Sequence, residues 1–262
     1  MSKGVALVTG ASAGLGAEFA RQLAARGHDL LLVARREDRL KELAAELAAA
    51  HGRQADVFAA DLSDPDAPQR IFDHATAAGL EIEWLVNNAG ISGPDLLEDR
   101  DWAEQARFFE LMMISVAHMC HLFVPGMRER RSGHVVNVSS FAGRLARPAG
   151  GNYGPAKAYL VALSEELALL LQGTGVTVTA LCPGFTHTEF HEVAGLMEMK
   201  RSLPGFLWYD ADTVVREGIE AALRGKPIWI SGRLYRWLDP LAQSVWVRPI
   251  VKALAPGREP RR

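Results

Sequence analysis

The sequence predicts a single α/β domain: a doubly wound parallel sheet flanked by helices. Three observations predict it. Short apolar runs alternate with helical patterns along the chain, and the runs are apolar at consecutive positions, as strands covered by helices on both faces must be. A glycine-rich turn joins the first run to the first helix. The 262 residues, 48% hydrophobic and 23% charged, suffice for a full core, and no Pro/Gly/Ser-rich stretch divides them.

In chain order, strand 4–9 leads into helix 14–26, strand 29–34 into helix 37–50, and strand 55–60 into helix 65–78. The alternation continues with strand 84–87, a long helix over 102–130, strand 134–139, helix 153–172 and strand 176–181. Helix 211–224 and the run 227–230 close the sheet. Residues 111–127 form an uncharged, largely apolar stretch, but Ser115, His118 and His121 interrupt it and it falls short of the ~20 residues a membrane span needs, so it reads as a buried helix. Doubly wound sheets bind ligands at the carboxyl ends of their strands, where the chemistry is to be sought.

Composition excludes several functions. A net charge of −2 is too balanced for a nucleic-acid binder. Cys120 and Cys182 lie in apolar surroundings without metal-ligand spacing, which argues against a disulfide framework or a zinc site and for a reducing cytoplasm. The N-terminus enters a strand pattern by Val5 without the features of a signal peptide, so export is not expected. The charge is unevenly distributed: from Arg224 onward there are nine Lys/Arg and two acids, a net +7, which leaves −9 on the preceding residues.

The turn after the first strand reads Thr9-Gly10-Ala11-Ser12-Ala13-Gly14-Leu15-Gly16. Gly10 and Gly14 let backbone turn tightly against a phosphate, Gly16 lets the helix pack near the strand, and the helix N-terminus faces the anion. No Gly-Lys-Ser/Thr follows, which excludes a phosphate-loop NTPase. Ala34 ends the second strand where a carboxylate would bind both ribose hydroxyls of NAD, and Arg35 and Arg36 follow it. Two guanidinium groups there suit a 2′-phosphate; alternatively they begin a solvated helix with Arg39 and Lys41. Asp61-Leu62 after the third strand meets an adenine or, for Asp61, caps a turn before Ser63-Asp64-Pro65.

With Asn87-Asn88-Ala89-Gly90 after the fourth strand, Ser140 after the fifth, and Tyr153-x-x-x-Lys157 opening the next helix, residues 4–188 resemble a short-chain dehydrogenase/reductase. The resemblance implies a Rossmann-like fold, NADP(H) as cofactor, a carbonyl or alcohol substrate, no metal and a homo-oligomer. It implies that Ser140 polarises the carbonyl, Tyr153 is the acid/base, and Lys157 lowers its pKa and holds the nicotinamide ribose. It also places Asn88, Ala89 and Gly90 at the cofactor, with Pro183, Gly184, Thr186 and Thr188 gripping the carboxamide side. Elementary chemistry agrees. Tyr153 and Lys157 share a helix face, an adjacent ammonium favours the phenolate over an unperturbed phenol of pKa about 10, and Ser140 can stabilise developing charge on a substrate oxygen.

One departure stands out: the family's helix asparagine aligns with Met112, which puts the proton relay through that helix in question. A cofactor-binding scaffold without turnover is therefore the alternative to an NADP(H)-dependent oxidoreductase. Residues 1–232 form the binding and catalytic domain. Within it, 187–209 is an apolar lid (Leu196, Met197, Met199, Leu203, Phe206, Leu207, Trp208) suited to a hydrophobic substrate. Residues 233–262 form a basic amphipathic extension, expected to pack on the acidic body or a second subunit, with docking on an anionic membrane as the alternative.

Overall fold

The computed structural model describes residues 4–145, 151–189 and 204–247. Strands β1 (Val5–Thr9), β2 (Asp29–Ala34), β3 (Ala55–Ala59) and β4 (Ile82–Asn87) alternate with helices α1 (Gly14–Ala25), α2 (Glu37–His51) and α3 (Ala67–Ala77). Helices α4 (Trp102–Phe109) and α5 (Ser115–Arg130) precede β5 (Gly133–Val138), and α6 (Tyr153–Leu170) precedes β6 (Val176–Cys182). Short strands β7 (Phe185–His187) and β8 (Trp208–Asp210), helix α7 (Ala211–Leu223), β9 (Ile228–Ile230) and helix α8 (Arg233–Gln243) complete the order.

Seven parallel strands form the sheet in the order β3-β2-β1-β4-β5-β6-β9, while β7 and β8 pair separately. The winding reverses between β1 and β4, which opens a crevice beyond their carboxyl ends. Successive strand residues face opposite cores, which is why the apolar runs are unbroken. Ala6, Val8, Leu30 and Leu32 join Phe19, Leu23, Leu40 and Ile219 on one side. Val5, Leu7, Leu31 and Val33 join Ile71, Phe123, Met127 and Val178 on the other. Each such aliphatic or aromatic side chain removed from water contributes roughly 1.5–3 kcal/mol.

Three local differences from the expected elements have visible causes. The third helix starts at Ala67 because Asp64 accepts the Asp66 and Ala67 amides in a turn. The stretch Trp102–Arg130 has the length and composition to cross a membrane, yet Met119, Cys120, Phe123, Val124 and Met127 pack it onto the sheet. It is interrupted by a π-helical turn over Glu110–Ile114, centred on Met112. Finally, β7 and β8 join the two ends of the expected lid; Leu196, Met197, Met199 and Leu203 lie outside the described residues.

A buried polar chain crosses the sheet. Asn87 and Asn137 are register partners on β4 and β5. The Asn87 amide donates to Asn137 Oδ1 at 2.9 Å, and Asn137 donates to Ser164 Oγ of α6 at 2.9 Å. Ser164 in turn donates to the Leu160 carbonyl. Burial pushes the neighbouring Cys120 thiol up to about 12, so it stays protonated.

Candidate active site

The crevice opens into a cavity of about 1130 Å³. Gly10, Ser12, Ala13, Gly14 and Leu15 border it, as do Arg35, Arg36, Asp61, Leu62, Asn88, Ala89 and Gly90. So do Pro183, Gly184, Thr186 and Thr188, together with Ser140, Tyr153 and Lys157. Gly16 is the exception: a Cβ there would collide with the Gly10 carbonyl, so this glycine packs α1 beneath the loop and does not face the cavity.

The loop is shaped by its glycines and by β4. Gly10 and Gly14 adopt φ of +66° and +55°, a region that side chains disfavour. Ala13 supplies no side-chain cap, so the amides that begin α1 take no bond from the cap side chain, and Gly14 and Leu15 border the cavity there. Asn88 spends its amide on the Thr9 and Gly10 carbonyls at 2.9 and 3.3 Å, bracing the loop. Thr9, which sequence reasoning passed over, accepts the Asn88 and Ala89 amides through one hydroxyl at 2.9 and 3.1 Å.

At the end of β2, Arg36 donates to Ser12 Oγ at 3.0 and 3.2 Å. Its Nη1 also lies 3.8 Å from Glu189, which pairs with Arg39 at 3.2 Å. Arg35 sits 3.9 Å from Asp61. Partial burial would raise the Asp61 carboxyl, but hydrogen bonds from the Ser63 amide and hydroxyl and the charge of Arg35 outweigh it and hold the carboxyl below its ordinary range. Asp61 thus caps its own turn while bordering the cavity.

Ser140 follows β5, and its Oγ accepts the Ala142 amide at 3.1 Å, which leaves the O–H to donate elsewhere. Tyr153 opens α6 and Lys157 lies one turn on, its ammonium 5.8 Å from the centre of the Tyr153 ring. Lys157 Nζ donates to the Val138 carbonyl at 2.7 Å. Desolvation pulls its pKa from the ordinary 10.5 down to about 8. Ser139, not anticipated, joins the two elements by donating to the Lys157 carbonyl at 2.6 Å. Asn152 and Gln105 similarly tie the start of α6 to α4 at 3.1 Å. Such residues leave no sequence signal beyond adjacency to a motif.

Met112 points into the same site. Its Sδ accepts the Ile91 amide at 3.3 Å, and a Cβ on Gly90 would lie 3.2 Å from that sulfur and 3.7 Å from Lys157 Nζ. The thioether therefore fills space between the Asn-Asn-Ala-Gly loop and the lysine. The arrangement combines an anion cradle, a pair of guanidinium groups, a hydroxyl donor and a phenol beside an ammonium. It can hold an anionic ligand and offer hydrogen bonds to an oxygen atom bound beside Ser140 and Tyr153.

Known proteins resemble this chain in sequence and fold. The chain is 36% identical over 188 residues to sulfoacetaldehyde reductase 2 of Chromohalobacter salexigens, covering 71% of this chain and 74% of that protein. It is 30% identical to 7β-hydroxysteroid dehydrogenase of Collinsella aerofaciens, covering 70% and 68%. A short-chain dehydrogenase from Sphingobium yanoikuyae, solved with NADPH, superposes with a TM-score of 0.81 at 28% identity, covering 99% of this chain and 98% of that one. The sequence model of the short chain dehydrogenase family matches residues 4–198, and the chain accordingly belongs to the short-chain dehydrogenase/reductase family of oxidoreductases.

Proposed function

We propose that the protein is an NADP(H)-dependent oxidoreductase that interconverts a carbonyl and a secondary alcohol on a hydrophobic substrate, with Tyr153 as acid/base. One observation carries the reading: a single cavity is lined both by Ser12, Arg35 and Arg36 and by Ser140, Tyr153 and Lys157. Strands β2 and β5, which lead into Arg35 and Ser140, are separated by three inter-strand steps, or ~14 Å. The relation to a reductase and to a hydroxysteroid dehydrogenase supports the reaction class, and the NADPH complex of a structural neighbour supports the cofactor. Leu111, Met112, Phe141 and Phe185 on the cavity wall support an apolar substrate.

The residues present fit such a cofactor, since the amides at the start of α1 and the glycine turn suit a diphosphate, and Ser12 with Arg36 suits a 2′-phosphate. When bound, the nicotinamide supplies or accepts the hydride. Ser140 donates its hydroxyl to the substrate oxygen and orients it. Tyr153 gives that oxygen a proton in reduction and removes it in oxidation. Lys157, held by the Val138 carbonyl, stabilises the phenolate with its charge.

The test is a carbonyl panel assayed by loss of NADPH absorbance. Turnover is expected, with kcat/KM for NADPH about 10- to 100-fold above that for NADH. Tyr153→Phe should nearly abolish turnover and keep NADPH binding. An NADH preference would overturn the cofactor assignment, and undiminished turnover in Tyr153→Phe would overturn the acid/base role.

A further inference from the structure

Helix α8 is mounted with its polar side inward. Asp239 grips Arg144 through two bonds of 2.9 and 2.7 Å, Gln243 donates to the Arg144 carbonyl, and Arg236 pairs with Glu217. Tyr235, Asp239 and Gln243 are spaced four apart and share one helix face, while Trp237 and Leu241 on the outer side stay exposed. The rest of the basic extension, residues 248–262, lies outside the described residues. The bonds of the inner face hold Tyr235 against the cavity, which it borders together with Phe141 and Phe185.

Tyr235 is 5% exposed and anchored on several sides. Its hydroxyl donates to the Leu207 carbonyl at 2.9 Å and accepts the Phe185 amide at 3.3 Å. Its ring centre lies 5.0 Å from that of Phe141, and the ring rests on Gly184, where a Cβ would strike it. Phe141 and Arg144 belong to the turn after β5, Gly184 and Phe185 to the segment after β6, and Leu207 to the turn before β8, so Tyr235 is held from three parts of the chain. Backbone groups engage its hydroxyl both as donor and as acceptor, which leaves ring carbon to face the cavity. Phe141 directly follows Ser140, so this aromatic wall stands beside the hydroxyl assigned to the substrate oxygen.

We propose that Tyr235 determines substrate specificity: its ring, with Phe141 and Phe185, admits a short substituent on the carbonyl carbon and rejects a longer one. The inference rests on the reaction proposed above and narrows its substrate class to apolar ketones with one short arm. A longer arm would have to displace a ring that cannot retreat without breaking its bonds to Leu207 and Phe185, and a packed wall yields poorly to added methylenes. One methylene in such a pocket changes kcat/KM by roughly 10- to 200-fold.

Methyl pentyl ketone and dipropyl ketone are reduced with NADPH by the native protein and by variants shown to fold and bind NADPH. The two ketones are isomers of equal carbon number, so the ratio of their kcat/KM values reports the length of the shorter arm. The native protein is expected to favour methyl pentyl ketone by about tenfold or more. Tyr235→Leu should remove most of that preference. Tyr235→Phe keeps the ring and should retain it; loss of the preference there overturns the ring as the selecting surface. A purely structural role would instead lower kcat/KM for both ketones in proportion and leave their ratio unchanged. Should Tyr235→Leu not fold, Phe141→Leu thins the same wall and must move the ratio in the same direction. No preference in the native protein, a ratio unmoved by thinning the wall, or turnover of other carbonyls but of neither ketone overturns this role alone. Absence of turnover across the whole carbonyl panel overturns the proposed function, and this role with it.

Discussion

Replacing Lys157 with methionine should make the protein more stable and inactive. The side chain is 5% exposed, and burial holds its pKa at about 8 against an ordinary 10.5. At ~1.4 kcal/mol per pKa unit, keeping the ammonium charged in the folded state at neutral pH costs about 3 kcal/mol. Methionine has similar length and no charge, but it leaves the Val138 carbonyl without its 2.7 Å donor, a loss of about 1–2 kcal/mol. The net gain is about 1–2 kcal/mol, or roughly 2–8 °C in Tm for a chain of this size. The pH dependence gives a sharper check. Because the folded pKa is depressed, the unfolded chain binds more protons between about pH 8 and 10.5, and the native protein recovers stability as pH rises through that window. The advantage of Lys157→Met is therefore full below about pH 7, shrinks by about 2 kcal/mol at about pH 9.5, and is then close to zero. Thermal melts of both proteins without cofactor, at about pH 6.5 and about pH 9.5, measure it. A variant that melts lower at the acidic pH, or by the same margin at both, would refute the account of Lys157 as a strained buried charge.

Glu189→Gln should tighten NADPH binding up to about fivefold and leave NADH binding unchanged, because each half-exposed ion pair it removes from Arg36 and Arg39 is worth roughly 0.2–1 kcal/mol; fluorescence titration decides, and equal effects on both cofactors would refute it. Met112→Asn, in protein shown to fold and bind NADPH, should raise kcat if the thioether leaves proton delivery slow, since the Ser115 hydroxyl already donates to the Leu111 carbonyl and cannot also donate to a relay water. A fall in kcat would mean that the sulfur's bond to Ile91 is an adaptation. Asp239→Ala should lower stability by about 3 kcal/mol, since it strands the Arg144 guanidinium, whose side chain is 18% exposed. An unchanged melting temperature would contradict that.

The sheet and the cavity-lining loops were legible because they depend on local pattern. Consecutive apolar residues mark two-sided strands, Gly10, Asn88 and Ser140 sit where strand ends must be, and Tyr153 sits where a helix must begin. What stayed hidden depends on contacts between distant parts of the chain. The π turn at Met112 has no signature in a run of apolar residues. The pairing of Glu189 with Arg36 and Arg39 bridges over 150 residues. The inverted mounting of α8 requires knowing that Arg144 awaits Asp239, which no periodicity reveals. Strands β7 and β8 are three residues each, too short for alternation to show.

The amide chain from Asn87 to Asn137 and Ser164 acts as an address within an otherwise interchangeable set of aliphatic strands. A parallel pair built from valine and leucine would tolerate sliding by two residues, since the same faces would stay covered. Sliding β4 along β5 would set Asn87 opposite Val135 instead of Asn137 and break the bond from the Asn87 amide to Asn137 Oδ1 in a dry interior, at about 1–3 kcal/mol for each group left unsatisfied. Asn88 begins the loop that braces the glycine turn, and Ser139 and Ser140 follow β5 directly. The same pair of buried amides therefore aligns the shelf that holds an anion with the hydroxyl that meets the substrate, so that assembly of the sheet and assembly of the site are one event.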